Sequence, residues 1–162
     1  MAAENFGQKP RLLMAAICER AIVGSDNMLT IVRLIDVVTV SAVAPADEMA
    51  AAIASLGAPV QGTLVLVFKG GEVDATHQIT VVAHTPTGDV HEFPKIDSVF
   101  GSLIPGAVPG SNAVVNLQMS IKREGTYWFE VKLDGETVTA VPLEIVFQAA
   151  EPPASLETTE AQ

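Results

Sequence analysis

Apolar and polar residues alternate with a period of two along much of this chain, most plainly between Glu124 and Phe147. Tyr127, Phe129, Val131 and Leu133 fall on one face, and Trp128, Glu130 and Lys132 on the other. A half-buried strand requires this pattern, because successive side chains point to opposite sides of a sheet. Asp134-Gly135 then supplies the two left-handed positions of a tight hairpin turn, and a second strand returns through Val141, Leu143, Ile145 and Phe147.

The same pattern predicts further strands. Leu12 to Val23 and Leu29 to Val40 flank a Gly24-Ser25-Asp26-Asn27 turn and read as a first hairpin. Gly62 to Phe68 is apolar on both faces, as in a covered central strand. Gln78 to His84 alternates through Ile79, Val81 and Ala83, and Pro86-Thr87-Gly88 turns it back into Val90 to Phe93. Val115, Leu117, Met119 and Ile121 line a later strand with one wet face. One helix interrupts the series. Pro45 suits its first position, Asp47 and Glu48 its positive end and Gly57 its stop, while Met49, Ile53 and Leu56 form an apolar stripe over a sheet edge or end. About seven strands, separated by frequent turns, predict an all-β antiparallel β-sandwich, immunoglobulin-like or C2-like, with one short α-helix.

Between Pro94 and Ser111 the regularity stops. Three prolines and three glycines make this a long loop, yet it carries Val99, Phe100, Leu103, Ile104 and Val108. Such a loop either packs over one end of the sandwich or meets a partner. Phe100, Leu103 and Ile104 are the candidate interaction residues. At the termini, residues 1–10 read as a flexible arm and 149–162 as a disordered acidic tail, leaving 11–148 as the sandwich domain.

Composition narrows the function. The 162 residues are 49% hydrophobic but 5% aromatic, so the core is aliphatic. A net charge of −10 with scattered Lys and Arg argues against nucleic acid and against an anionic membrane surface. No apolar run has the length of a membrane-spanning helix, and Leu12 to Cys18 reads as a strand rather than a signal sequence. The single cysteine, Cys18, excludes an internal disulfide, reads as a small buried apolar residue and fits a reducing, cytoplasmic setting.

The segment Glu124-Gly125-Thr126-Tyr127-Trp128-Phe129 resembles the penultimate strand of immunoglobulin-like sandwiches, with Phe129 standing where antibody-type domains carry their second cysteine. A longer resemblance covers most of the body. Ala16 to Arg20 before the first turn, Leu29 to Arg33 after it, Thr85 to Gly88, and Gly125-Thr126-Tyr127 with Pro142-Leu143 look like an uncharacterised bacterial β-sandwich family. That resemblance implies a fold and transfers no functional residue.

Candidate chemistry is sparse. The chain has no phosphate-binding Gly-rich loop with Lys, no Cys-x-x-Cys, no His-Glu-x-x-His and no Gly-x-Ser-x-Gly. If the Pro86 turn closes around Thr87 and Gly88, His84 and His91 stand opposite each other with Glu92 near, a possible divalent-metal set. Acidic turns at Asp26, Glu72, Asp74, Asp89, Asp134 and Glu136 suggest calcium, although turns favour such residues anyway. Of Tyr127 and Trp128, one is expected to anchor the core and the other to stay half exposed. The expectation is a non-enzymatic interaction or structural module without cofactor, binding a protein partner or itself. The alternatives are a phage or secretion-machine component and a calcium- or zinc-binding sandwich.

Overall fold

Alternation carries the chain through ten strands and one helix among the described residues. These are β1 (Arg11–Val23), β2 (Leu29–Leu34), β3 (Val37–Ala42), α1 (Ala46–Leu56), β4 (Ala58–Lys69), β5 (Thr76–His84), β6 (Val90–Glu92), β7 (Ile96–Val99), β8 (Gly110–Ile121), β9 (Gly125–Leu133) and β10 (Glu136–Ala149). The structure, a computed structural model, describes residues 8–26, 28–43 and 45–150. The expected arm over residues 1–7, Asn27 of the first turn and the expected acidic tail over 151–162 lie outside the described residues.

The strands form two layers, ordered β2-β1-β4-β8 and β3-β10-β9-β5-β6, with β7 pairing β5 beside β6. Leu64, Leu66 and Phe68 of β4 meet Ile79, Val81, Phe129, Val131 and Ile145 of the facing sheet in one buried cluster. Excluding these aliphatic and aromatic side chains from water is the main force holding the layers together. β4 is central in its sheet, and Val65 on its outward side is also fully buried, as the two-faced apolar run requires.

Three expectations need correction. The run Leu29 to Val40 is not one strand. It breaks at Ile35 and Asp36, and β3 crosses to the other sheet, where it lies parallel to β10. The break is held by Ile35 N–H donating to the Ile17 carbonyl and by Glu144 N–H donating to the Asp36 carbonyl. The second sheet is therefore mixed rather than purely antiparallel. Leu56 leaves the helical stripe and is 82% exposed, while Met49 and Ile53 bury against Ala58, Val40, Ala42 and Phe147. Finally, the 94–111 loop contains a strand, β7, which continues the β5 edge where β6 stops.

Asp134 and Gly135 turn β9 into β10 with φ of 50° and 86°, the two left-handed positions of a type I′ hairpin. At the other end of β9, the Tyr127 hydroxyl donates to the Arg123 carbonyl at 2.9 Å. This is the tyrosine corner of immunoglobulin-like sandwiches, and it favours that architecture over the C2-like one.

Candidate interaction surface

Phe100, Leu103 and Ile104 do not act together. Phe100 is 0% exposed, seated 5.9 Å from the ring of Phe68 and 4.7 Å from that of His77. Its backbone is fixed as well: Phe100 N–H donates to the Ala75 carbonyl, and its own carbonyl accepts from Asp74 N–H. Phe100 is thus a core residue that anchors the loop, and a partner has no access to it. Sequence alone could not separate it from its neighbours, since all three are large apolar residues in an irregular stretch.

Beyond Phe100 the loop closes at a neck, where Gly101 and Gly110 exchange both backbone hydrogen bonds. Inside it, Ile104-Pro105-Gly106-Ala107 forms a tight turn in which Ala107 N–H donates to the Ile104 carbonyl at 3.0 Å. Pro105 presets the first central position, and Gly106, at φ 80°, takes the left-handed one that a side chain would strain. The Ser102 hydroxyl reaches the carbonyls of both Ile104 and Ala107. The loop is therefore internally bonded, and it holds Leu103 and Ile104 outward at 70% and 67% exposure.

These side chains do not stand alone. A cleft of about 310 Å³ is lined by Leu103, Ile104 and Val108 on one side, by Met28 and Leu29 from the β1–β2 hairpin on another, and by Lys69 at the end of β4. Met28 is 64% exposed and Val108 53%. Lys69 is the one ionisable side chain in this lining. The surface thus has an apolar rim and a single cation, and borders on Gly110, Ser111 and Asn112 at the start of β8. Met28 was missed in the sequence because it follows a turn, outside any alternating run.

The histidines are separated by the β5–β6 register. His84 lies opposite Val90, and His91 opposite Ala83, so the two imidazoles are on opposite faces of the sheet. The loop is longer than the tight turn that would have set them face to face: Thr85 N–H donates to the Asp89 carbonyl, which places one more residue in the reversal. His91 stacks edge-on against Phe93 at 4.9 Å. His84 Nε2 lies 3.0 Å from Glu130 Oε2 on the outer face, where Thr137 also donates to Glu130 and Lys132 approaches it at 3.6 Å. The Thr137 hydroxyl, then His84, hold the Glu130 carboxyl below its ordinary range. Glu92 sits opposite Val82, and so on the same outer face as His84. Among the described residues no three of His, Cys, Asp and Glu converge as metal ligands.

Three of the acidic turn residues engage their oxygens within the chain. Asp26 accepts from Met28 N–H, Asp89 accepts from the Thr87 hydroxyl, and Asp134 accepts from both Gln78 N–H and His77 Nδ1. Cys18 is fully buried, and burial pushes its thiol pKa up, partly offset by a backbone hydrogen bond at Arg20. A thiol so placed is a poor nucleophile. Tyr127 is the buried aromatic of its pair, and Trp128 stays 46% exposed beside His84 and Pro142 on the outer face. Among the described residues no helix is long and apolar enough to cross a membrane.

Comparison with known proteins bears on the fold more than on this surface. A family model described as a family of unknown function, DUF6941, matches residues 13–146. None of the curated proteins compared matches the chain. Among solved structures, an alkylpurine DNA glycosylase, AlkC, from Pseudomonas fluorescens, bound to DNA with an abasic-site analogue, is 10% identical with a TM-score of 0.45. The match covers 85% of this chain and 30% of the glycosylase chain, so this chain spans less than a third of that protein. A CARDB domain from Pyrococcus furiosus, in complex with di-metal ions, is 10% identical with a TM-score of 0.42, covering 88% of this chain and 94% of that one. An immunoglobulin-like protein from Pseudomonas aeruginosa is 14% identical with a TM-score of 0.33, covering 87% and 99%.

Proposed function

The chain belongs to the DUF6941 family, a family of unknown function, and from that premise we propose that it is a non-enzymatic β-sandwich module that presents the 102–109 loop to a protein partner. One observation carries this reading. Leu103, Ile104, Val108 and Met28 are exposed side by side around a cleft, on a loop whose backbone is already ordered by Ser102 and the Gly106 turn. Exposed apolar side chains grouped in this way are costly in water and lose that cost when a partner covers them. Prior ordering of the loop lowers the entropy that binding must overcome. The partner surface is apolar, with an acidic group placed to meet Lys69.

The test is quantitative affinity capture with the wild-type chain and a Leu103→Asp, Ile104→Asp double variant. A protein retained at constant stoichiometry by the wild type and lost by a variant of equal thermal stability supports the reading. Equal recovery by both chains rejects it.

A further inference from the structure

Among the described residues, one sheet edge has an open hydrogen-bonding ladder. β8 pairs with β4 at consecutive positions from Ala58↔Ile121 to Lys69↔Gly110, with no bulge. On its other side β8 meets Gly101, through the two backbone bonds at Gly110. Those bonds set the parity of the strand. The N–H and C=O of Gly110 point away from β4, so the N–H and C=O of Val114, Asn116, Gln118 and Ser120 do so too, because direction alternates along a strand. Among the described residues, none of these four has a backbone partner on that side. A cleft lined by Ala83, His91, Gln118, Met119 and Tyr127 separates this edge from the facing sheet, so β6 does not cover it.

Such an edge is a template for another strand, and proteins ordinarily block it with charge, proline, bulges or shortness. The other edges show these devices. β2 has six residues and carries Arg33 at φ 53°. β3 also has six, entering beside Asp36. β6 and β7 have three and four residues and contain Glu92 and Asp97. β8 has twelve residues, no proline and no bulge. It also lies in a stretch, Ser98 to Ile121, without a single charged residue in a chain of net charge −10.

Topology gives the gap a place. β9 carries the tyrosine corner and so holds the F position of an immunoglobulin-like sandwich, which makes the preceding β8 strand E. In that arrangement a D strand flanks E, and no described strand stands there.

We infer that β8 is a self-association edge, which pairs antiparallel with β8 of a second copy and joins two four-stranded sheets into one. The missing charge selects a second copy as occupant. Two-fold pairing sets the strand against its own reverse, so a charge near the dyad would face its like, and β8 has none to face. The side chains of Asn116 and Gln118, adjacent on the outer face, then exchange amide hydrogen bonds across the dyad. The inference goes beyond the loop reading: the paired segment, 114–120, lies past Gly110, Ser111 and Asn112, the part of β8 that lines the cleft of Leu103 and Ile104. Because each copy is strongly acidic, association strengthens as salt screens the two bodies.

The experiment is analytical ultracentrifugation of the full chain from low to high micromolar concentration, at low and moderate salt, with three variants. Gln118→Pro removes one outward N–H and leaves the β4 ladder intact. Asn116→Lys places like charges together at the dyad. Leu103→Asp with Ile104→Asp leaves β8 untouched. The expected result is a monomer–dimer equilibrium in the wild type and in the loop variant, and at least a tenfold weaker one in both β8 variants. Hydrogen exchange in the dimer should protect the amides of Val114, Asn116, Gln118 and Ser120. A wild type that stays monomeric overturns the inference without touching the loop reading. A dimer that survives Asn116→Lys with these amides exchanging freely overturns it too. If Gln118→Pro does not fold, Asn116→Lys decides.

Discussion

The hydroxyl of Tyr127 donates to the carbonyl oxygen of Arg123, four residues upstream, while its ring is buried in the main core. The bond fixes the corner at which the chain leaves β8 for β9. Removing it in Tyr127→Phe keeps the ring and orphans a partly covered carbonyl. The expected cost is about 1–2 kcal/mol, read from urea denaturation midpoints at unchanged slope. A midpoint equal to that of the wild type would show that the corner is set by packing alone.

Phe100 and Leu103 lie three residues apart and should respond in opposite ways. Truncating the fully buried ring in Phe100→Ala leaves a cavity against Phe68 and His77, and should cost roughly 3–5 kcal/mol. Leu103→Asp, on an exposed side chain, should change stability by no more than about 0.5 kcal/mol. Thermal melts of the two variants distinguish them, and similar losses in both would mean that Leu103 is packed.

Asp134 couples the hairpin turn to β5. Its carboxylate accepts from His77 Nδ1 at 2.7 Å and from Gln78 N–H at 2.8 Å, and these bonds, His77 first, hold its pKa below the ordinary aspartate value. A depressed carboxyl pKa means that the unfolded chain binds the proton more readily. The stabilisation is therefore fully present above the ordinary aspartate range and disappears as pH falls through the lower folded value. Glu130, also depressed, has the same sign. Asn tolerates the left-handed backbone at this position, so Asp134→Asn isolates the charge. The wild-type advantage over Asp134→Asn should be constant near neutrality and shrink in acid. Denaturation curves across the acid range test this, and an advantage that grows on acidification contradicts it.

Zinc should find no stoichiometric site at His84 and His91. His84 and His91 are on opposite faces, and Glu130 already holds His84. Calorimetric titration of zinc should give the same trace for the wild type and for His84→Ala with His91→Ala. A wild-type binding event abolished in that double variant would restore the metal reading.

The β9–β10 hairpin, the covered strand β4 and the helix bounded by Pro45 and Gly57 are legible in the letters, since each rests on local rules. Alternation gives a face, Asp-Gly gives a turn and a proline gives a start. The boundary between β2 and β3 is not legible. Ile35 and Asp36 look like two more residues of an alternating run, and only the bonds to Ile17 and Glu144 show that the chain changes sheets there. The candidate surface divides in the same way. Apolar character in 94–111 marks the segment, but which residues face inward depends on Ala75, Phe68 and His77, far away in sequence.

By itself the sequence determined the pleated faces, the turn chemistry and an aliphatic interior, because these depend on neighbours within a few residues. Tertiary structure decided which strand meets which, that Phe100 is anchor and Leu103 and Ile104 are rim, that His84 and His91 stand apart, and that β8 lies at an edge. Each of these is a matter of register or of long-range contact. A shift of one residue in pairing reverses every side chain, and no local pattern records it.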